Sequence, residues 1–556
     1  MRARSVLLAL VLFARAVDAR AEISVRVADP GLQALFGRLA PTLEANRKEL
    51  RGRTGLVRGF GAGAVYPQIW LRDSATLIPL SRFLYPRDHL ESWLVEHLAH
   101  QQADGALRDW IAAGDPSAFR NDAPRVEAVY RAGPVVISAD RNTTEADQET
   151  SAVEAAYQIF RVTADRAWLK SAVAGRPLVD RLDAALSFLL RRRFSRRFGL
   201  VTNAFTADWG DVSPVYGDQR AIYLDDQTPV VVGLYTNVLF DRAARDLETL
   251  LAAAGRSARA RFWAAQARGV RAAIVRHFWQ PERGFFRLHL LESAPPGWAA
   301  PEDGDVFALG GNAVAALYGA ADAPQAAAIF RAAEDRRRRF AVSTVAGTLL
   351  PPYPPGVFRH PILREPYTYQ NGGQWDWFAG RLVLAEFERG HATAARRQLG
   401  EIAARVAHGG GLREWATRDG AGRGSAVYAG SAGALGAALI GGLFGVDLHE
   451  GRLDLTVRLG PEAGELRLRE PATGTEVTCA SAYYASSRTL RLSYTSGARE
   501  GGALRVRLPP RLRLASAIVD GRAAALTIET VGEDVYAVSA TAPGPHQIQL
   551  QLAVMR

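Results

Sequence analysis

Apolar residues recur at helical spacing through most of the first 446 positions, and after Val446 the pattern switches to alternation. No other feature limits the fold as strongly. Leu32, Leu35, Leu39 and Leu43 open the helical series. It continues through 75–84, 90–99, Glu149–Thr163, Leu178–Leu190, Pro229–Ala254, Ala258–Phe278, Val306–Tyr318, Ala323–Arg336, Phe378–Glu388 and Ala392–Val406. Each stretch carries an apolar stripe that must be buried against a neighbour, which predicts roughly ten to twelve helices. No fixed repeat period accompanies them, so a solenoid is not supported. Helices in this number suggest a closed ring of helical hairpins with function at the loops of one rim. Beyond Val446, Leu453–Leu459, Glu465–Arg469, Thr489–Tyr494 and His546–Leu552 alternate with period two between Gly, Pro and Ser turns, which predicts a β-sandwich. The expected organisation is a mainly α chain with a lead-in segment at 22–60, a helical domain at 61–446 and an all-β sandwich at 447–556.

Residues 1–21 combine Arg2 and Arg4, an apolar run from Val6 to Ala14, and Ala19-Arg20-Ala21. That is the layout of a secretory signal peptide, which predicts a secreted or bacterial periplasmic protein. Its apolar run is too short to span a bilayer. Tyr428–Val446 is uncharged but rich in Gly and Ala, and reads as a buried inner helix rather than a membrane span. Cys479 is the only cysteine, so an intrachain disulfide and a cysteine zinc site are excluded. The formal net charge is +11. It lies in stretches such as Arg191–Arg193 and Arg336–Arg339, without the interleaved aromatics of a nucleic-acid module. No nucleic-acid partner is expected.

Five of the 11 tryptophans lie in four stretches, each within three residues of an acid. These are Trp70-Leu71-Arg72-Asp73, Asp208-Trp209-Gly210-Asp211, Trp375-Asp376-Trp377 and Arg413-Glu414-Trp415. Flat apolar rings beside carboxylates suit a sugar, whose C–H faces stack while its hydroxyls bond to acids. Glycoside cleavage needs two carboxyls on opposite sides of the sugar. Spacing alone does not select them from Asp73, Glu145, Asp147, Glu149, Asp208, Asp211, Asp225, Asp226, Asp376 and Glu414. Asp208 also reads as a turn or helix-cap residue, Asp376 as a carboxylate at a helix N-terminus, and Arg72 with Asp73 as an ion pair.

Taken in order, the four stretches resemble motifs of the six-hairpin, (α/α)6-barrel glycosidases. That group includes the glucosidase part of glycogen-debranching enzymes, processing α-glucosidases and disaccharide phosphorylases. The resemblance spans about residues 60–446 and implies an (α/α)6 barrel ahead of the sandwich. Trp70–Asp73 resembles a Trp-x-Arg-Asp segment that holds the sugar, which implies Trp70, Arg72 and Asp73 as contacts. Asp208–Asp211 is similar to a Trp-x-Asp segment whose last acid is the general acid. This implies Asp211 for that role, with Asp208 and Trp209 lining the site. Tyr369–Trp377 resembles a Tyr-x-x-Gly-x-x-Trp segment that begins an inner helix, implying Gln370, Asn371, Trp375, Asp376 and Trp377 as sugar contacts. Gly411–Trp415 resembles the segment of the general base, implying Glu414, with Trp415 beside it. The expectation is an exported, inverting glycoside hydrolase acting on an α-glucoside-type oligosaccharide or polysaccharide. A phosphorylase on the same fold is the alternative, with Arg418, Arg423 and the Gly420–Ser425 loop as its anion pocket. A glycan-binding protein without activity is another. Neither G-x-x-x-x-G-K-[ST] nor H-E-x-x-H is present, so no cofactor is expected. Glu302-Asp303-Gly304-Asp305 is an acidic loop of a type that can ligate calcium.

Overall fold

The computed structural model describes residues 23–120 and 123–555. The predicted signal peptide at 1–21 lies outside the described residues. Thirteen α-helices are present among the described residues. They are α1 (Pro30–Ala45), α2 (Leu71–Ser81), α3 (Arg87–Ala99), α4 (Gln148–Thr163), the short α5 (Arg166–Lys170), α6 (Leu178–Arg192) and α7 (Leu234–Ala253). They continue as α8 (Ser257–Phe278), α9 (Leu309–Leu317), α10 (Ala323–Arg339), α11 (Asp376–Glu388), α12 (Ala392–His408) and α13 (Ala429–Ala437).

Six of these close a ring: α2 packs on α4, α4 on α7, α7 on α9, α9 on α11, α11 on α13, and α13 back on α2. The helices between them form a second layer, with α6 against α4 and α7, α8 against α7, α10 against α9, and α12 against α11. The apolar stripes explain the division. Outer α6 buries Leu178, Val179, Leu182, Ala185, Leu186 and Leu189, one face of a 3.6-residue period. Its other face carries Asp183, which accepts from Arg259 and Trp263 of α8 at 2.6 Å each. Inner α13, Ala-Gly-Ser-Ala-Gly-Ala-Leu-Gly-Ala, is buried almost throughout. A Cβ on Gly433 would sit 2.8 Å from the Thr76 carbonyl oxygen of α2, so a small residue there permits the two backbones to approach. Among the described residues no helix is long and apolar enough to cross a membrane.

The expected mainly α composition gives way to a mixed one, 37% helix and 28% strand. Part of the strand content is the C-terminal region, a seven-stranded and a five-stranded sheet. The rest comes from short strand pairs in the loops, including a hairpin of Glu127–Ala132 and Val135–Asp140 that the helical pattern does not announce. Val230–Gly233 is likewise a strand, because three successive β-branched valines favour extended backbone. The lead-in segment is divided. Ile23–Val27 pairs antiparallel with Gly464–Glu470 as the first strand of the seven-stranded sheet, while α1 packs on α12 and α13.

Buried polar contacts join the ring to the C-terminal sheets. Arg82, which caps the C-terminus of α2, donates from Nε to Glu470 (2.8 Å) and from Nη2 to the Leu448 carbonyl (2.6 Å). Asp534 accepts from Arg507 (2.5 Å) and from the Ala392 N–H at the start of α12 (2.9 Å). One buried carboxyl stands out energetically. Glu386 of α11 is 0% exposed, and its one donor is Gln398 Nε2 at 2.9 Å. Burial outweighs that donor and pushes its pKa up to about 8 from an ordinary 4.5. Folding is therefore unpenalised below the ordinary value and loses stability as pH rises towards 8. Glu386→Gln should raise the melting temperature by roughly 2–5 °C at pH 9 and by almost nothing at pH 4.5. Melting curves that stay parallel across this range would count against the assignment.

Candidate active site

All six inner helices begin at one rim of the ring, where the loops that lead into them bring the acid and tryptophan stretches together. Helix α2 begins at Leu71 rather than near Ala75, so Arg72 and Asp73 stand on its first turn. Glu145 and Asp147 precede α4, Tyr235 opens α7, and Asp208 reaches α9. Asp376 opens α11 and Tyr428 precedes α13. Six helix N-termini supply positive potential here, which offsets some of the repulsion among the acids.

Glu414 is 4% exposed and is held by two donors. Tyr66 Oη donates to Oε1 (2.9 Å) and the Ser425 N–H to Oε2 (2.8 Å). Gly424 is required beside it, since its φ is +66° and a Cβ would lie 2.5 Å from Glu414 Oε2. Burial raises the pKa of Glu414; the Ser425 and Tyr66 donors oppose this, and the charges of Asp211 and Asp73 add to it. Asp211 stands on a loop whose position is fixed through its main chain. Its carbonyl accepts from Asn142 Nδ2 (2.9 Å) and Thr144 Oγ1 (3.0 Å). Its Oδ1 takes no hydrogen bond from any described residue. Half-buried Tyr369 and Tyr66 feel both carboxyls: after burial, Asp211 and Glu414 are the main causes that hold the Tyr369 phenol protonated.

Arg72 is enclosed. Its Nη1 lies 2.8 Å from Glu145 Oε1, 3.3 Å from Asp147 Oδ2 and 3.1 Å from the Trp209 carbonyl. Its guanidinium carbon lies 5.7 and 5.6 Å from the ring centres of Trp209 and Trp377. Burial opposes its charge, but Glu145 and Asp147 keep it firmly protonated. The expected Arg72–Asp73 ion pair is replaced by this clamp. Asp73 instead accepts from Tyr428 Oη at 3.0 Å, with its pKa raised by burial and lowered in part by Arg72.

Of the residues assigned to sugar contact, Trp70 and Trp415 are half-buried on the wall, and Trp70 meets Tyr66 edge-on at 6.4 Å. Several others are corrected by their burial. Trp209, Trp375 and Trp377 are 3%, 1% and 1% exposed. They pack on one another and on Phe378, with Trp209 to Trp375 at 4.7 Å and Trp209 to Phe378 at 4.4 Å. Their faces are occupied, so they form a floor beneath the site rather than a stacking platform. Asp376 turns away from the rim to pair with Arg405 of α12. Asp208 accepts from the Gly311 N–H at 3.1 Å, tying the Trp209–Asp211 loop to the start of α9, and burial lifts its pKa to about 7. Asn371 spends its amide on Tyr353 N–H (2.8 Å) and the carbonyls of Tyr353 and Leu363. Gln370 is 1% exposed with its Oε1 unpaired. Among the other acids, Glu149 is bound by Arg141 and the Leu107 N–H, and Asp225 lies on the surface bonded to Tyr216. In the acidic loop at 302–305, Asp305 pairs with Arg283 and Arg336, and Asp303 Oδ2 lies 3.1 Å from His289 Nδ1, so both aspartates already have side-chain partners.

Tyr66, Tyr369 and Tyr428 also contact or face the rim acids, and the acid and tryptophan pattern does not single them out. Among the acids of the rim, Asp211 and Glu414 stand on different loops beside Tyr66 and Tyr369, within each other's electrostatic influence. Such a pair can divide acid and base duties, provided their surroundings differ. They do differ. Glu414 is fixed by two donors, whereas Asp211 Oδ1 is buried without one among the described residues.

No protein-family model matches the chain, and no curated protein matches it significantly in sequence. Solved structures do. The α-L-rhamnosidase of Dictyoglumus thermophilum superposes with a TM-score of 0.62 at 12% identity, over 96% of this chain and 50% of that one. The GH78-family rhamnosidase of Bacillus sp. GL1 gives 0.60 at 15% identity, over 88% of this chain and 43% of that one. An α-L-rhamnosidase of Streptomyces avermitilis, solved with L-rhamnose, gives 0.56 at 12% identity, over 95% and 42%. The chain thus shares the six-hairpin glycosidase-type fold of these structures and spans about half their length.

Proposed function

We propose that the protein is a glycoside hydrolase in which the closed helical ring serves as an (α/α)6 barrel and cleavage proceeds with inversion. Asp211 protonates the glycosidic oxygen, and Glu414 takes a proton from the water that attacks the anomeric carbon. The observation that carries this reading is the unequal setting of the two carboxyls. Tyr66 and Ser425 orient Glu414 as a fixed acceptor, which suits a base, while the uncommitted oxygen of Asp211 suits a proton donor. An inverting pair is expected to stand about 6.5–9.5 Å apart, leaving room for the water.

Acids outnumber cations at this rim, and Arg72 is already engaged by Glu145 and Asp147. A pocket of that charge favours water over phosphate as the nucleophile, and so hydrolysis over phosphorolysis. The motif resemblance points to α-glucosides, and the names of the similar solved structures add α-L-rhamnosides. A panel of neutral α- and β-linked p-nitrophenyl glycosides and disaccharides, with products followed by NMR, tests the reading. The expected result is phosphate-independent cleavage that releases first the anomer opposite to that of the substrate. A retained anomer would sink the inverting mechanism, a requirement for phosphate would point to a phosphorylase, and no cleavage at all would leave a binding protein.

A further inference from the structure

One carboxyl at this rim has no part in that mechanism. Asp109, in Arg108-Asp109-Trp110, is 5% exposed. Its main chain is locked in place. The Asp109 N–H donates to the Asp140 carbonyl (2.8 Å), and its own carbonyl accepts from the Leu71 N–H at the start of α2 (2.9 Å). Its neighbour Trp110 pairs with Trp70 and Asp140 across adjacent strands. The Asp109 carboxyl itself takes no hydrogen bond or ion pair from any described residue, and its oxygens are not sealed off by protein. Other acids around it are committed: Asp140 to Tyr223 Oη, Asp73 to Tyr428 Oη, and Glu145 and Asp147 to Arg72. Asp109 shares their field, for Arg72, Asp147, Asp73 and Asp140 all act on its ionisation, and Asp109 acts on that of Glu145.

A buried carboxyl without a partner destabilises the fold, and such cost concentrates where a ligand completes the missing bonds. We infer that Asp109 is a substrate-contacting residue, whose carboxyl hydrogen-bonds a hydroxyl of a neutral sugar bound beside Asp73 and Arg72. This inference rests on the glycosidase reading and narrows its substrate. Burial and the neighbouring carboxylates hold the Asp109 pKa well above the ordinary range, so the group offers an O–H as well as a carbonyl oxygen. The cations beside Asp109 in sequence and across the rim are engaged, Arg108 with Glu127 and Arg72 with Glu145 and Asp147, so neither is left to meet an acidic sugar. A hydroxyl-bearing, uncharged ring is the class that fits.

The test compares Asp109→Asn and Asp109→Leu with the wild type, using the neutral p-nitrophenyl glycoside that the wild type cleaves best. KM, kcat and melting temperature are measured for each. Asp109→Leu should raise KM about tenfold or more with kcat nearly unchanged, and its melting temperature should hold or rise. Asp109→Asn, which keeps a donor and an acceptor, should stay within about threefold of the wild-type KM. An unchanged KM in Asp109→Leu would overturn the inference while leaving the glycosidase reading intact. So would an equal loss of kcat in both variants with a lowered melting temperature, which marks a structural role. Should Asp109→Leu fail to fold, a tenfold KM rise in Asp109→Ala replaces it as the deciding result. A wild type that cleaves no glycoside overturns both readings.

Discussion

Asp211→Asn should slow hydrolysis of a substrate with a poor leaving group, such as a disaccharide, by about 100- to 10,000-fold. The same variant should lose less than about tenfold on a glycosyl fluoride, whose leaving group needs no proton. The reasoning is that asparagine keeps the shape and acceptor of the bare Asp211 oxygen but has no acidic proton. Its loss is then felt only where protonation of the departing oxygen is part of the barrier. Since the loop is anchored through the Asp211 carbonyl by Asn142 and Thr144, the side-chain change should not move it, and KM should change little. Equal losses on both substrates would show that Asp211 is not the proton donor.

Glu414→Gln should behave in the opposite way, losing about 1,000-fold or more on both leaving groups, because attack by water needs a base whichever group departs. Its pH behaviour follows from its surroundings. A base works only when ionised, so the rate of the wild type should fall as pH drops through the Glu414 pKa. Burial raises that pKa, so this acidic limb should lie above the usual carboxylate range. Tyr66→Phe removes a donor that favours the ionised form and should move the limb further up. If the limb stays in place in Tyr66→Phe, the base is some other group.

Much of the scaffold is legible in the sequence because its determinants are local. The apolar stripes of α6, α7 and α8 announce helices, and the alternation after Val446 announces strands. The site is less so. Asp211 and Glu414 are separated by most of the ring, and only motif resemblance selects them from ten candidate acids. An indole beside an acid looks the same whether it stacks on a sugar or, like Trp377, on other rings. Burial separates the two cases, and burial is a property of the assembled ring. Tyr66 acts through a hydroxyl that reaches a residue 348 positions away, which no local pattern encodes. Asp109-Trp110 carries the same acid-beside-tryptophan signal as the four stretches, yet so does Asp165 near Trp168, a half-buried cap of α5 paired with Arg87. Only their places in the fold tell them apart.

The pairing of Ile23–Val27 with Gly464–Glu470 has a consequence for how the protein is made. Ile23–Val27 has to wait for a partner that emerges about 440 residues later, and α1 waits almost as long for α12 and α13. The larger sheet cannot be completed before Gly464–Glu470 is available. The larger sheet therefore works as a clasp: it pairs a strand from ahead of the ring with a strand from beyond it, so that the rim, with its crowded and mutually repelling acids, lies between two segments held to each other.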